Sequence, residues 1–168
     1  KFNGLGENVT WGMYNNEAPQ AHDQAELFEV LHWAAQQGYS ATFHWNNNDT
    51  VHHLLDVIER VAQERPLAPL RWSIAHLNNA TLPTLQRMKR LGLGWLVQNA
   101  SHFQREWMSQ KLGAAALTRI PPLGDALQLG LPIGIGTDAH RVMDPNPFVC
   151  LQWLVDGLSV NGLPTRSS

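Results

Sequence analysis

The sequence predicts an α/β fold, a parallel sheet with crossover helices, and three observations carry that prediction. Apolar spacing switches repeatedly between a helical and an extended period along the chain. Four strand-like runs follow residue 38, each separated by a helix-like run, which is the order that parallel βαβ units produce. No linker or low-complexity tract interrupts the 168 residues, so residues 1–168 are expected to form a single domain. An eight-stranded α/β barrel takes about 250 residues, so this chain suffices for about five-eighths of one.

Taken in order, residues 24–37 carry Leu27, Phe28, Leu31, Ala34 and Ala35 at helical spacing and stop at Gly38. "YSATF" at 39–43 reads as a strand that ends at His44. Residues 50–64 read as a second helix, with Val51, Leu54, Leu55, Ile58, Val61 and Ala62 on one face and Asp49 or Thr50 as its cap. Pro66 and Pro69 break the chain before a second strand, "RWSIA" at 71–75, which ends at His76. A third helix spans about 82–91, with Leu82, Leu85 and Met88 inward, Pro83 near its start and Gly92 just past its end. "GWLVQ" at 94–98 is a third strand, and 99–118 shows no clear period. A short helix near 123–129, the strand "LPIGIG" ending at Asp138, and an amphipathic piece at 148–155 complete the order. A further strand is expected near Lys1.

Composition narrows the function classes. With 15% charged and 43% apolar residues the chain is globular rather than disordered. A net charge of -2 gives no reason to expect nucleic acid or an anionic membrane as a partner. No apolar run approaches the roughly 20 residues that span a bilayer. The single cysteine, Cys150, sits between Val149 and Leu151 and reads as a buried thiol; its isolation fits a reducing, cytoplasmic setting. The seven tryptophans read mostly as core, with Trp45 also placed to line a pocket. Eight histidines are more informative, because His is the commonest ligand for first-row metals. No signal peptide is visible, and a start at Lys1 suggests a segment of a longer protein.

His44, His76 and Asp138 each follow a predicted strand. In a parallel sheet all strand C-termini share one edge, where active sites of such folds gather. Two imidazoles and a carboxylate suit a borderline cation such as Zn²⁺. Gly134-Ile-Gly136-Thr-Asp138-Ala139 also fits G-x-G-x-x-A, a dinucleotide-binding turn. That reading fails on context, because the glycines lie inside a strand, expected to be buried with its small residues letting the barrel interior pack closely, and Pro145 and Pro147 prevent a long helix directly after it.

The set "TFHWNNN", "WSIAHLNNATLPTLQRMKRLGLGWLVQNASH" and "RIPPLGDALQLGLPIGIGTDA" resembles the metal-dependent amidohydrolase superfamily, closest to the branch of N-substituted formamide deformylase. The resemblance covers roughly 24–157 and implies a (β/α)8 TIM barrel of which this chain forms about strands 4–8. It implies a hydrolase that cleaves C–N bonds of amide- or formamide-like substrates. His44 and His76 would bind a divalent metal, Zn²⁺ by expectation, as one or two ions. Asp138 would bind the neighbouring metal or the attacking water and act as general base and then acid. A metal-bound water has its pKa lowered from 15.7 to about 7. Lys1 could hold the place of a carbamylated, metal-bridging lysine. His102 and His140, beyond the third and fourth of these strands, would contact substrate.

This sequence departs from the family's pattern in three places. It has no His-x-His, since His52 and His53 are adjacent within a helix and face solvent or its flank. "HWNNN" stands where the family often has H-A-I-G-D, and Ile74-Ala75-His76 where it often has I-E-H. The missing Glu and Asp put the support of the ligating histidines in question. His22 and His32 read as surface residues. A small-molecule substrate is the expected partner, and open sheet edges invite a homo-oligomer that covers them. The competing reading is an incomplete, inactive barrel that binds no metal. A carbohydrate or phosphate enzyme lacks support, because no paired carboxylates stand at strand ends and no phosphate-binding glycine turn appears.

Overall fold

A computed structural model describes residues 2–117, 119–139 and 143–165. Five strands alternate with helices: β1 Gly4–Leu5, β2 Ser40–Trp45, β3 Ser73–His76, β4 Gly94–Gln98 and β5 Ile133–Gly136. All neighbours pair in parallel, in the order β1-β2-β3-β4-β5. Sequential order without reversal is that of a barrel wall, whereas a doubly wound sheet reverses at a switch point. The chain is therefore a partial (β/α)8 barrel. β1 and β5 each pair on one side among the described residues.

The helices are α1 Ala21–Gln37, α2 His52–Glu64, α3 Leu82–Arg90, α4 Ala100–Leu112, α5 Ala114–Leu117, α6 Leu123–Gln128 and α7 Pro147–Asp156. α1 starts at a capping box between Gln20 and Asp23 and ends at Gly38, whose φ of 73° suits glycine. α2 buries Leu54, Leu55, Val57, Ile58 and Val61 against α1 and the sheet. Arg87 of α3 ties that helix to α2 through Asp56 and Glu59. Four tryptophans are fully buried, and each indole N–H finds an acceptor: Trp45 on Thr50 Oγ1, Trp72 on the Tyr39 carbonyl, Trp95 on the His76 carbonyl and Trp153 on Thr165 Oγ1.

Several expectations are corrected. Residues 99–118 show no clear period, yet α4 and α5 occupy most of them, and α4 kinks at Gln104. Its only buried residues are Ser101 and Met108, because much of its inner face borders a cavity rather than the core. Neither Asp49 nor Thr50 caps α2; Val51 holds the N-cap without a side-chain bond. Leu82 is 41% exposed, so the first turn of α3 does not pack inward. Trp45 is wholly buried in the core and does not line the cavity. β5 is not a buried strand: it lies at the edge, with Ile135 and Gly136 exposed. Of the two β5 glycines only Gly134 has a close neighbour: a Cβ there would meet Leu96 Cδ2 at 2.6 Å, so the tip of that side chain would have to shift.

Candidate metal centre

Three strand ends bring their polar residues together. His44 lies within β2 one residue before its end, and His76 is the last residue of β3. Their rings stand 4.2 Å apart between centroids. Glu7, two residues past β1, reaches both: its Oε2 lies 3.1 Å from His44 Nδ1 and 3.3 Å from His76 Nε2. The His44 amide also donates to the Glu7 carbonyl at 3.3 Å, which prolongs the β1–β2 pairing and fixes where Glu7 emerges. One donor atom from each of these residues lies within 4.8 Å of the others. Two imidazole nitrogens and one carboxylate oxygen are a donor set suited to a borderline divalent cation.

The register explains an otherwise puzzling geometry. His44 pairs with Ala75, and His76 pairs with Trp45, so regular alternation would send the two imidazoles to opposite faces. His76 instead adopts φ 68°, in the left-handed region, which breaks the alternation and returns its ring to the His44 side. Leu77 follows at φ 48°, and Asp138 has φ 51°. Such conformations cost a non-glycine residue about 1–3 kcal/mol and gather where the surrounding structure holds them for function. At His76 the holding group is Trp95, whose indole N–H donates to its carbonyl at 2.9 Å.

Partners at the remaining ring nitrogens come from residues other than the missing Glu and Asp. The Asn46 side-chain amide lies 3.0 Å from His44 Nε2, and Tyr14 stacks at 4.4 Å from the His44 ring. Asp138 Oδ2 lies 4.0 Å from His76 Nδ1. Burial pulls the His44 pKa below its ordinary value, and the neighbouring His76 acts the same way, against the raising effect of the Glu7 hydrogen bond and charge. The shift favours the neutral imidazole, the form that ligates.

A cavity of about 450 Å³ opens beside these residues, bordered by His44, His76 and Asp138 and by Trp107, Met108 and Leu112 of α4. Its size is that of a small-molecule site. His102 does not border it: its Nδ1 contacts the Leu158 carbonyl at 2.7 Å, and its own carbonyl accepts from Val160, so it fastens the segment after α7. Asp138 lies outside the close donor set. Lys1 and His140 fall outside the described residues. His22 and His32 sit on α1 beside Asp23 and Glu64, away from the site. Glu7 escaped the sequence reading because β1 is two residues long and shows no alternation. The available signal was its position, a polar residue just after an apolar-glycine run, as with the other strand ends.

Comparison with known proteins agrees with the fold. Two solved structures resemble the chain: an uncharacterized metal-dependent hydrolase from Pyrococcus horikoshii OT3, with TM-score 0.66, 17% identity, and 91% of this chain but 32% of that chain covered; and an uncharacterized metal-dependent hydrolase from Pyrococcus furiosus, with TM-score 0.65, 18% identity, 89% and 32%. The chain thus spans about a third of each. At these identities the likeness speaks for the fold. No curated protein matches. The model of the amidohydrolase family matches residues 3–164, nearly the whole sequence, and on that match the chain belongs to the amidohydrolase family.

Proposed function

We propose that this chain carries the metal-binding and proton-transfer part of a hydrolase that cleaves C–N bonds in amide- or formamide-like substrates, on the pattern of the formamide deformylase branch. The observation that carries the reading is the convergence of Glu7, His44 and His76 from three successive strand ends, with Asp138 beside His76. Glu7 Oε2, His44 Nδ1 and His76 Nε2 would hold one divalent ion, Zn²⁺ in our reading. With Glu7 as the anionic donor, no carbamylated Lys1 is needed to complete a three-donor set. The bound ion supplies Lewis acidity that polarises the substrate carbonyl and acidifies water.

The protein's own groups do the rest. Asp138 accepts a proton from the attacking water and passes it to the leaving nitrogen as the C–N bond breaks. Its side chain is 40% exposed, so both water and substrate reach it. Tyr14 and Asn46 hold the His44 ring, and Trp95 holds His76.

The test is zinc stoichiometry on the purified chain, with hydrolysis of N-acyl and N-formyl substrates. About one zinc per chain is expected, lost in Glu7→Gln. Asp138→Asn should keep the zinc and lose about 10²–10⁴-fold in rate. A chain that takes up no zinc would overturn the reading in favour of an incomplete, inactive barrel.

A further inference from the structure

Two side-chain oxygens in the cavity lack what an amide oxygen requires. Gln98, the last residue of β4, is 7% exposed, and its Oε1 is buried without a hydrogen-bond partner among the described residues. Asn78, two residues after His76, carries a buried Oδ1 in the same state. Both residues border the cavity that His44, His76 and Asp138 share. Carboxamide oxygens only accept, and buried acceptors are nearly always satisfied. The nearby carboxylates of Glu7 and Asp138 are acceptors when ionised and cannot serve them. A ligand that brings a donor would complete them.

We infer that Gln98 and Asn78 form a pair that reads an N–H on the scissile amide. The cavity then takes primary and secondary amides and rejects N,N-disubstituted amides and esters. A carbonyl or ester oxygen at that position would set acceptor against acceptor, whereas an N–H satisfies at least one of them. The apolar side chains of Trp107, Met108 and Leu112, which line the same cavity, suit an aryl or alkyl substituent. The inference rests on the hydrolase reading for what happens next. Water oxygen bonds to the acyl carbon, the C–N bond breaks, and Asp138 returns to nitrogen the proton it took from water. The products are a carboxylic acid and an amine. An N–H anchored on Gln98 Oε1 fixes the nitrogen's orientation while its lone pair turns to meet that proton.

Ligand-observed NMR on the chain, with and without zinc, tests this with three probes of similar shape: N-phenylacetamide, N-methyl-N-phenylacetamide and phenyl acetate. Wild type should bind the first at least about tenfold more tightly than the other two. Gln98→Met, close in volume but without an acceptor, should weaken N-phenylacetamide about tenfold, leave the other two unchanged, and keep the zinc stoichiometry. Asn78→Leu should act in the same direction. Equal affinities in wild type overturn the inference and need no variant to fold. A preference that survives in Gln98→Met and Asn78→Leu also overturns it, by assigning selectivity to shape. Failure to bind zinc or to hydrolyse amides would count against the hydrolase reading while leaving the affinity ranking readable on the metal-free chain.

Discussion

The β2–β3 end of the sheet and the β5 end solve different problems with the same topology. β2 and β3 are each paired on both sides, His76 is 7% exposed, and its backbone is clamped by a buried tryptophan. β5 is an edge strand with Ile135 and Gly136 exposed, and Asp138 beyond it keeps 40% of its side chain in solvent. α7 secures that edge through the Cys150 thiol, which donates to the Gly136 carbonyl at 3.4 Å. The contrast separates two demands. The two imidazoles stand on doubly paired strands and are held closely, whereas Glu7, the third donor, follows the singly paired β1 and is 42% exposed. A group that carries protons must meet water and substrate, and the 40% exposure of the Asp138 side chain allows both.

Removing a ligand should break the difference most severely. His76→Asn keeps a residue that tolerates the left-handed backbone, so its effect is read as loss of the ligand: zinc affinity should fall by more than about 100-fold, beyond what a supporting contact is worth. Competition with a chelating dye measures this, and near-native affinity would show that His76 is no ligand. A smaller effect is expected from Trp95→Phe. Loss of its N–H leaves the His76 carbonyl without that donor, which should cost about 1–3 kcal/mol in urea unfolding and about tenfold in zinc affinity. A stability loss with unchanged affinity would make Trp95 a core residue only. The mildest probe touches the other end. Burial raises the Cys150 pKa above its ordinary value, against a backbone contact from Asn99 that lowers it. At pH 7.5 the raised value leaves less thiolate than a free cysteine has, and the thiol is 2% exposed. Labelling by a disulfide reagent should therefore be slow in the folded chain and fast in urea. Fast labelling without urea would mean that the β5 edge opens readily.

Much of this was legible from residue patterns, and the misses have physical causes. β4 falls at 94–98 as expected, because the chain turns at Gly92 and Trp95 and Val97 then alternate inward. His44 and His76 were found because strand polarity alone sends parallel strand ends to one edge. Glu7 was missed because a two-residue strand has too few positions to display a period. α4 was missed because amphipathicity arises from packing on a core, and this helix faces a cavity with Trp107 57% exposed. The glycines of β5 suggested burial, but edge strands also tolerate small residues, and only Gly134 has a close neighbour, the movable tip of Leu96. The left-handed turn at His76 left no trace in residue type, since its support comes from Trp95, nineteen positions away.

The pairing of Trp45 with His76 has a consequence for how such a sheet is checked as it assembles. A slip of β3 by one residue would move His76 about 3.3 Å along the strand and exchange its faces. The slipped chain would still present apolar residues to the helices, because Ser73–His76 is buried on both sides and its pattern distinguishes registers weakly. It would, however, no longer offer Glu7, His44 and His76 to one ion. Cation uptake would then act as a proofreading step, drawing the population by mass action toward the one alignment that hydrophobic burial alone specifies poorly.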